Sequence, residues 1–261
     1  MTVEVHGILN RHHWLENIGE EQLRESTMEL SMQRAEAYGW HAPYGWRTRN
    51  GKKFFHLPDR WLDCDTGGDW SGAPEIRELA WVQADIPEDG LYPRLPVLPM
   101  ARTVFDALTR VGTVDFTALR TYLPLQVAAG DASGDLDDMR EWFGLASPAE
   151  RVDSYLTLSA APSAAWAAGE WKTRVQSAMT EHLGDVATVE ARSKISTSHL
   201  AAQATGRSPI EGAQPVGQFL FRTREWTPDV AVWLSEVAGE ALRVTGHAVP
   251  VIVTVSVARA N

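Results

Sequence analysis

Residues 216–257 read VGQFLFRTREWTPDVAVWLSEVAGEALRVTGHAVPVIVTVSV, and the expected architecture follows from this stretch. Val216–Arg224 and Val249–Val257 show the two-residue period that is typical of strands. Pro228–Val244, which lies between them, has the pattern of a helix. We therefore predict a strand–helix–strand unit. We expect its last strand to be central or well paired, because one of its faces is an apolar stripe of four side chains, Val251, Val253, Val255 and Val257.

The rest of the chain alternates between the same two periods. Predicted strands and helices are intermingled along the sequence, which favours an α+β fold with a mixed, largely antiparallel sheet and packed helices. The other predicted strands are 2–9, 52–57, 75–86, 114–127, 151–159 and 186–195, and the other predicted helices are 16–38, 101–110, 164–183 and a short one after 131–138.

A second strand–helix–strand unit is predicted near the start of the chain. Its helix is followed by the segment GWHAP at 39–43, and the last helix is followed by GHAVP at 246–250. Two strand–helix–strand halves related as a pseudo-repeat would explain this likeness. Chance is the alternative, because the identities are few.

A proline-rich segment at 87–100 is the best candidate for a linker. Its prolines favour an extended backbone. The predicted organisation is an N-terminal α+β half at 1–86, which contains an irregular segment rich in Trp and His, and a C-terminal α+β half at 101–261. The alternative is that the two halves form one compact unit.

Composition and charge narrow the class of protein. The 261 residues are 44% hydrophobic and 22% charged, which is ordinary for a globular chain. The net charge of −10 disfavours nucleic acid as a partner, because phosphate binding depends on cationic side chains. No stretch is apolar enough to span a membrane. A lone cysteine, Cys64, and a start without a secretory pattern predict a cytoplasmic protein. The sequence leaves a homodimer open.

Several motifs are missing from the chain. It contains no GxxxxGK[ST] loop, GxGxxG, HExxH, GxSxG or CxxC motif, so we expect no cofactor. The acidic loops at 63–69 and 131–138 do not match the spacing of an EF-hand. We also expect no metal, because the candidate ligands have no diagnostic spacing. Those ligands are His6, His41, His56, Asp63 and Asp65.

Aromatic and imidazole side chains are unusually dense in the first third of the chain. The sequence has 11 Trp and 8 His in total. A Gly-punctuated, irregular segment with such side chains is typical of a pocket for a planar ligand, and we expect Trp40, Trp46 and Trp81 to line it. The alternative is that these large side chains simply cover the core.

Polar strand faces form the second candidate site. Period-two alternation places polar pairs opposite apolar faces on several strands. A solvated face is the simple explanation, because antiparallel sheets often have one wet face. A cleft in which Arg binds a carboxylate or phosphate is the alternative. These polar residues are Glu4 and His6, Arg77 and Asp85, Arg120 and Tyr122, Glu190, Arg192 and Lys194, and Gln218, Arg222 and Arg224.

These observations predict a small-molecule enzyme of a biosynthetic or tailoring type. We expect general acid–base chemistry, namely isomerisation, condensation or cyclisation, on an aromatic or carboxylated substrate. His12 or His13 would carry the proton and Glu190 would be the partner carboxylate. The substrate-binding residues would be Arg192, Arg222, Arg120, Tyr122 and the three pocket tryptophans. The alternative is a non-catalytic assembly or interaction protein with an aromatic-rich interface.

Overall fold

The computed structural model describes residues 1–38, 47–49, 52–54, 62–70, 72–86, 95–128, 133–167, 169–195 and 209–258. These ranges contain ten strands and six α-helices. The strands are β1 Thr2–Arg11, β2 Arg47–Arg49, β3 Lys52–Phe54, β4 Leu62–Gly67, β5 Arg77–Asp85, β6 Gly112–Pro124, β7 Val152–Ala160, β8 Thr188–Ala191, β9 Gln214–Thr223 and β10 Pro250–Val257. The helices are α1 Glu20–Ala37, α2 Val97–Val111, α3 Ser133–Gly144, α4 Ala164–Ala167, α5 Trp171–Leu183 and α6 Pro228–Val244.

The strands confirm the predicted α+β class. Eight of them form an antiparallel sheet in the order β4-β5-β1-β6-β10-β7-β9-β8, while β2 and β3 form a separate hairpin. The chain divides into two compact units within β6. Unit 1 contains Met1–Phe116 and Val127–Gly130, and unit 2 contains Thr117–Gln126 and Asp131–Asn261.

Apart from the separate β2–β3 pair, unit 1 has a β–α–β–β–α–β order along the chain. Its strands lie in the spatial order β4-β5-β1-β6, with the first residues of β6 beside β1. Helix α2 packs on β1, β5 and α1, and it buries Met100, Val104 and Leu108. On β1 and β5 the apolar partners Val3↔Val82 and Val5↔Ala80 share one face of the pair. Burial of these side chains forms the core of unit 1.

Unit 2 repeats this order with different segments. The chain order β7–α5–β8–β9–α6–β10 folds into the spatial order β10-β7-β9-β8, and the second half of β6 pairs with β10. Helix α6 packs on α5, α3 and β10, and every residue from Val230 to Leu242 is buried. It begins at Thr227, whose side chain accepts a hydrogen bond from the Val230 N–H, so one free donor of the first turn is satisfied.

Strand β10 confirms the expectation for the last strand. It lies between β6 and β7, and the residues from Val251 to Ser256 are all buried. The apolar stripe pairs with apolar side chains of β7, as in Val253↔Leu158 and Val255↔Leu156.

The topology supports two related halves. However, the segments that correspond in the topology are not the segments that resemble each other in sequence. In spatial order, β1–α1 corresponds to β7–α5, and β9–α6–β10 corresponds to β5–α2–β6. The GWHAP and GHAVP segments therefore follow helices that occupy different places in the two halves.

The division of the chain differs from the linker predicted at 87–100. Helix α2 begins at Val97, inside that segment, and residues 87–94 lie outside the described ranges. Because α2 packs on β1 and β5, it belongs with the first half, and the division falls within β6. Proline at the start of a helix does not prevent its formation, because the first N–H groups have no partner within the helix.

Among the helices that the structure describes, none has the length and apolar character needed to cross a membrane.

Candidate functional site

The polar face of unit 2 is built from the strand register. Phe219 packs edge-on against Trp171 of α5, and a Cβ at Gly217 would meet the same indole, so both positions face the helices. Side chains alternate along a strand, so Gln218 and Leu220 face the other way. Cross-strand partners share a face, which extends this second face across the unit. We call it the polar face.

One register row crosses the polar face from β6 to β8. Its paired positions are Arg120↔Thr254, Thr254↔Thr157 and Thr157↔Gln218. The row reaches Arg192, whose N–H donates to the Gln218 carbonyl. The middle of the row is a buried floor of neutral polar groups, in which the Gln218 Nε2 donates to the Thr157 Oγ1 at 3.1 Å.

Charged groups lie at the rim of this floor, at the β8–β9 edge. Glu190 pairs with Leu220 in the register, so it shares the polar face with Arg192 and Arg222. Arg222 makes an ion pair with Asp153, with 3.3 Å between its Nε and an aspartate Oδ1, and both side chains are about half exposed. Glu190 and Arg192 are exposed. The structure thus brings three of the predicted residues to one edge of the polar face.

Arg120 and Tyr122 lie on the same face but at its other side. They are half-buried on β6, and β10 and β7 separate β6 from β9. Three strand spacings amount to about 14 Å. These two side chains are therefore too far from Arg222 to bind the same small anion.

His12 and His13 lie in unit 1, where β1 ends in a 3₁₀ turn at His13–Leu15. The His12 ring stacks on Trp14 with 4.2 Å between centroids, and its Nε2 lies 3.3 Å from the Thr109 carbonyl oxygen. The His13 ring meets the same indole edge-on. Trp14 is 61% exposed, so the three rings form an exposed aromatic cluster. Glu190 belongs to unit 2, and its pairing with either histidine stays a prediction.

The tryptophans of the predicted pocket are partly described. Trp40 and Trp46 lie outside the described residues. Trp81 is buried on β5, where its indole covers Gly67 of β4. Trp70 is also buried, and its Nε1 donates to the Leu79 carbonyl. Trp81 and Trp70 therefore favour the alternative in which this segment covers core.

A cluster suited to hold a metal lies in unit 1. Glu4, His6 and Glu78 each offer one ligand atom, and these atoms lie within 4.8 Å of one another. Sequence reasoning noted Glu4 and His6 but missed Glu78. Simple alternation places Arg77 on the polar face of β5, but a β-bulge reverses the alternation there. The adjacent apolar residues Leu79 and Ala80 break the two-residue period and could have indicated the bulge.

His247 has a packing role in unit 2. It is buried and stacks on Trp166 with 4.8 Å between ring centroids. Burial lowers the pKa of His247, and the positive charge of Arg174 lowers it further, against a smaller raising effect of a hydrogen bond with the Ala165 backbone. His247 is therefore neutral at pH 7.

A cavity of about 240 Å³ lies between α1 and α2 in unit 1. The Arg34–Asp106 ion pair forms part of its wall, with 2.6 Å between Nε and Oδ2. It is smaller than the ~300–1,000 Å³ of typical ligand pockets. Its principal charged groups are bound to each other, so it is a weaker candidate than the polar face.

The fold and the polar face define a two-unit α+β protein with a partly buried polar sheet surface. No family model, no curated protein and no solved structure matches the chain.

Proposed function

We propose that the chain is an enzyme that performs general acid–base chemistry on a small carboxylated molecule at the polar face of unit 2. The observation that supports this most is the register, which puts Glu190, Arg192 and Arg222 on one face beside a buried polar floor. A floor of neutral hydrogen-bonding groups with charges at its rim can orient a small polar ligand.

The two arginines suit a carboxylate group. A guanidinium binds a carboxylate through two parallel N–H donors. Arg222 already pairs with Asp153 near the surface, and such exposed pairs contribute only about 0–1 kcal/mol. A substrate carboxylate can therefore replace Asp153 at little cost.

The neighbouring register row suits an apolar or aromatic part of the same substrate. It runs Tyr155↔Leu220↔Glu190 across β7, β9 and β8. Tyr155 is half-buried and Leu220 is buried, so an apolar strip adjoins the anion anchors. This is the basis for proposing an aromatic carboxylic acid.

Glu190 is the proposed acid–base carboxylate. It lies diagonally opposite Arg222 in the register, and such neighbours are about 7–8 Å apart. A substrate held between them can lose a proton from one of its atoms to Glu190 and receive it back at a different atom, which is the requirement of an isomerisation. The prediction that His12 or His13, both in unit 1, carries a proton has its own test.

The binding step is tested by ligand-detected NMR with a panel of small acids such as benzoate, phenylacetate and cyclohexanecarboxylate. We expect the double variant Arg192→Gln/Arg222→Gln to weaken binding at least about 10-fold, because charge-assisted hydrogen bonds are lost. Arg174→Gln is the control for loss of positive charge elsewhere in unit 2, because Arg174 is exposed on α5. It removes one charge, whereas the double variant removes two. Absence of binding to every acid, or equal weakening in the control, contradicts the proposal.

The chemical step is tested in D₂O with the acid that binds. A general acid–base catalyst exchanges a substrate C–H for deuterium, and NMR measures the rate. Glu190→Gln should slow exchange by ~10²–10⁴-fold with unchanged affinity. His12→Ala and His13→Ala should separate, with only one of them slowing exchange. If Glu190→Gln leaves the rate unchanged, Glu190 is not the catalytic group.

A second candidate function rests on exposed apolar side chains at the end of α3. Trp142 is 66% exposed and Leu145 is 80% exposed. We propose as the alternative that this patch is part of an interaction surface, since exposed tryptophans are frequent at interfaces. Sedimentation velocity should then show an association that Trp142→Ser/Leu145→Ser abolishes. A monomer at all concentrations for both proteins, together with binding of a small acid, decides for the enzyme.

A further inference from the structure

Glu4 and His6 of β1 and Glu78 of β5 bring a nitrogen and two carboxylate oxygens together in unit 1. We propose that this cluster binds one divalent transition-metal ion of the zinc type. The proposal goes beyond the proposed function, because the polar face lies in unit 2.

The second observation concerns the burial and the hydrogen bonding of the His6 ring. His6 is fully buried, with 0% of its surface exposed, and its Nε2 lies 3.6 Å from the Glu4 Oε2. Neither ring nitrogen has a hydrogen-bond partner among the residues that the structure describes. A buried polar group without a hydrogen bond costs about 1–3 kcal/mol. A metal ion would satisfy the nitrogen that points at the carboxylate.

The local backbone places the third ligand. The register runs Val5↔Ala80 and then His6↔Glu78, so Leu79 is an extra residue in β5. Without this bulge, Leu79 would lie opposite His6 and no second carboxylate would reach the cluster. Bulges that redirect a side chain are common next to functional sites. Glu78 is also the partly exposed member of the cluster, which gives an ion a path to it.

The distances and the ligand types fit a zinc-type ion. Ligands at ~2.0–2.2 Å from a tetrahedral zinc are about 3.3 Å apart. The 3.6 Å between His6 Nε2 and Glu4 Oε2 is close to that value, and the Glu78 ligand atom lies within 4.8 Å of both. An imidazole nitrogen favours Zn²⁺ or Fe²⁺ over Mg²⁺ or Ca²⁺, which prefer oxygen ligands. Three protein ligands leave a fourth position open for water.

The charges of the cluster are compatible with a divalent cation. Two carboxylates and one imidazole lie together in or near the protein interior. A divalent ion brings two positive charges to this place. It would also fix the rotamers of all three side chains.

The test is isothermal titration calorimetry of the full chain after removal of metals with EDTA, with ZnCl₂ as titrant in a non-coordinating buffer. We expect one Zn²⁺ per chain. His6→Leu and Glu78→Gln should each weaken binding by more than about 100-fold, because loss of an outer partner of a ligand alone costs about 10–100-fold. Melting curves with and without Zn²⁺ should show a stabilisation that is present in the wild type and absent in both variants.

Surface histidines can also bind zinc, and His12→Ala/His13→Ala is the control for that. This variant should keep the full stoichiometry and affinity. Absence of zinc binding by the folded wild type overturns the proposal. Zinc binding that survives in a folded His6→Leu or Glu78→Gln protein also overturns the proposal. Loss of zinc binding in the His12→Ala/His13→Ala control overturns it as well. Near-UV circular dichroism establishes which variants are folded, and each of the two ligand variants decides the question alone.

Discussion

Units 1 and 2 have the same spatial order of strands, but they differ in the kind of polar side chain that their strands bury. On β1 and β5 of unit 1, ionisable groups are buried together, as in Glu4 and His6. On the polar face of unit 2, the buried groups are neutral, as in Thr157 and Gln218, and the charges lie at the rim. The two units therefore share a strand topology but differ in whether their buried polar side chains are ionisable.

The difference shows how a fold accommodates polar side chains. A buried hydroxyl or amide is satisfied by one or two hydrogen bonds, as between Gln218 and Thr157. A buried carboxylate needs a counter-charge, and its burial is costly without one. Unit 2 can therefore keep its polar floor without a ligand. In our proposal a metal ion satisfies the buried His6 imidazole of unit 1. The four experiments below test this contrast from the largest expected effect to the smallest.

Deletion of residues 250–261 should have the largest effect. It removes β10, whose Val251, Val253 and Val255 are fully buried. Full burial of a valine contributes about 1.5–3 kcal/mol, and a whole domain has only about 5–15 kcal/mol. We expect unit 2 to lose its cooperative thermal transition in calorimetry. A chain shortened only after Ala258 keeps β10 and should melt normally. A cooperative transition of unit 2 in the longer deletion contradicts the central role of β10.

Trp171→Ala should have the next largest effect. Its indole is buried on the helix side of unit 2, where it meets Trp166, Phe219 and His247 and donates to the Trp166 carbonyl at 2.9 Å. The expected loss is about 3–5 kcal/mol of unfolding free energy, measured by denaturant titration. The exposed Trp142 provides the control, and Trp142→Ala should change stability by less than about 0.5 kcal/mol. Equal losses in both would show that unit 2 is not stabilised from its helix side.

Thr157→Val and His6→Leu test the contrast directly, both in EDTA. Thr157→Val removes the acceptor of the Gln218 amide and should cost about 1–3 kcal/mol. His6→Leu removes a buried imidazole that has no hydrogen bond within the described residues, so metal-free protein should be unchanged or slightly more stable. If His6→Leu destabilises the metal-free chain more than Thr157→Val does, the imidazole is satisfied without a metal and the contrast fails.

The pH dependence due to His247 should be the smallest effect. Its pKa is lowered in the folded state, chiefly by burial. Below the ordinary histidine pKa of about 6.5, the unfolded chain binds a proton at this residue that the folded chain does not. The unfolding free energy should therefore fall as the pH decreases through about 6.5. Denaturant titrations at pH 5 to 8 should show a shallower dependence for His247→Gln than for the wild type. Identical slopes in the two proteins would contradict the burial of a neutral imidazole.

Much of the candidate site on unit 2 could be predicted from the sequence. Alternation alone put Arg120, Glu190 and Arg222 opposite apolar neighbours, because each strand carries its own two-residue period. It could not say that β10 and β7 separate Arg120 from Arg222, because strand order depends on contacts between distant segments. For the same reason the proline-rich segment suggested a boundary, whereas the packing of α2 on β1 and β5 assigned that helix to unit 1.

The sequence by itself determined the α+β class, the strand character of residues 216–223 and 250–257, and the buried stripe of β10. These properties are local, since they depend on which side chains recur every two residues or at helical spacing. Only the tertiary structure decided that Glu78 joins Glu4 and His6. One extra residue in β5 reverses the direction of the side chains beyond it, and only pairing with β1 shows where that residue is accommodated.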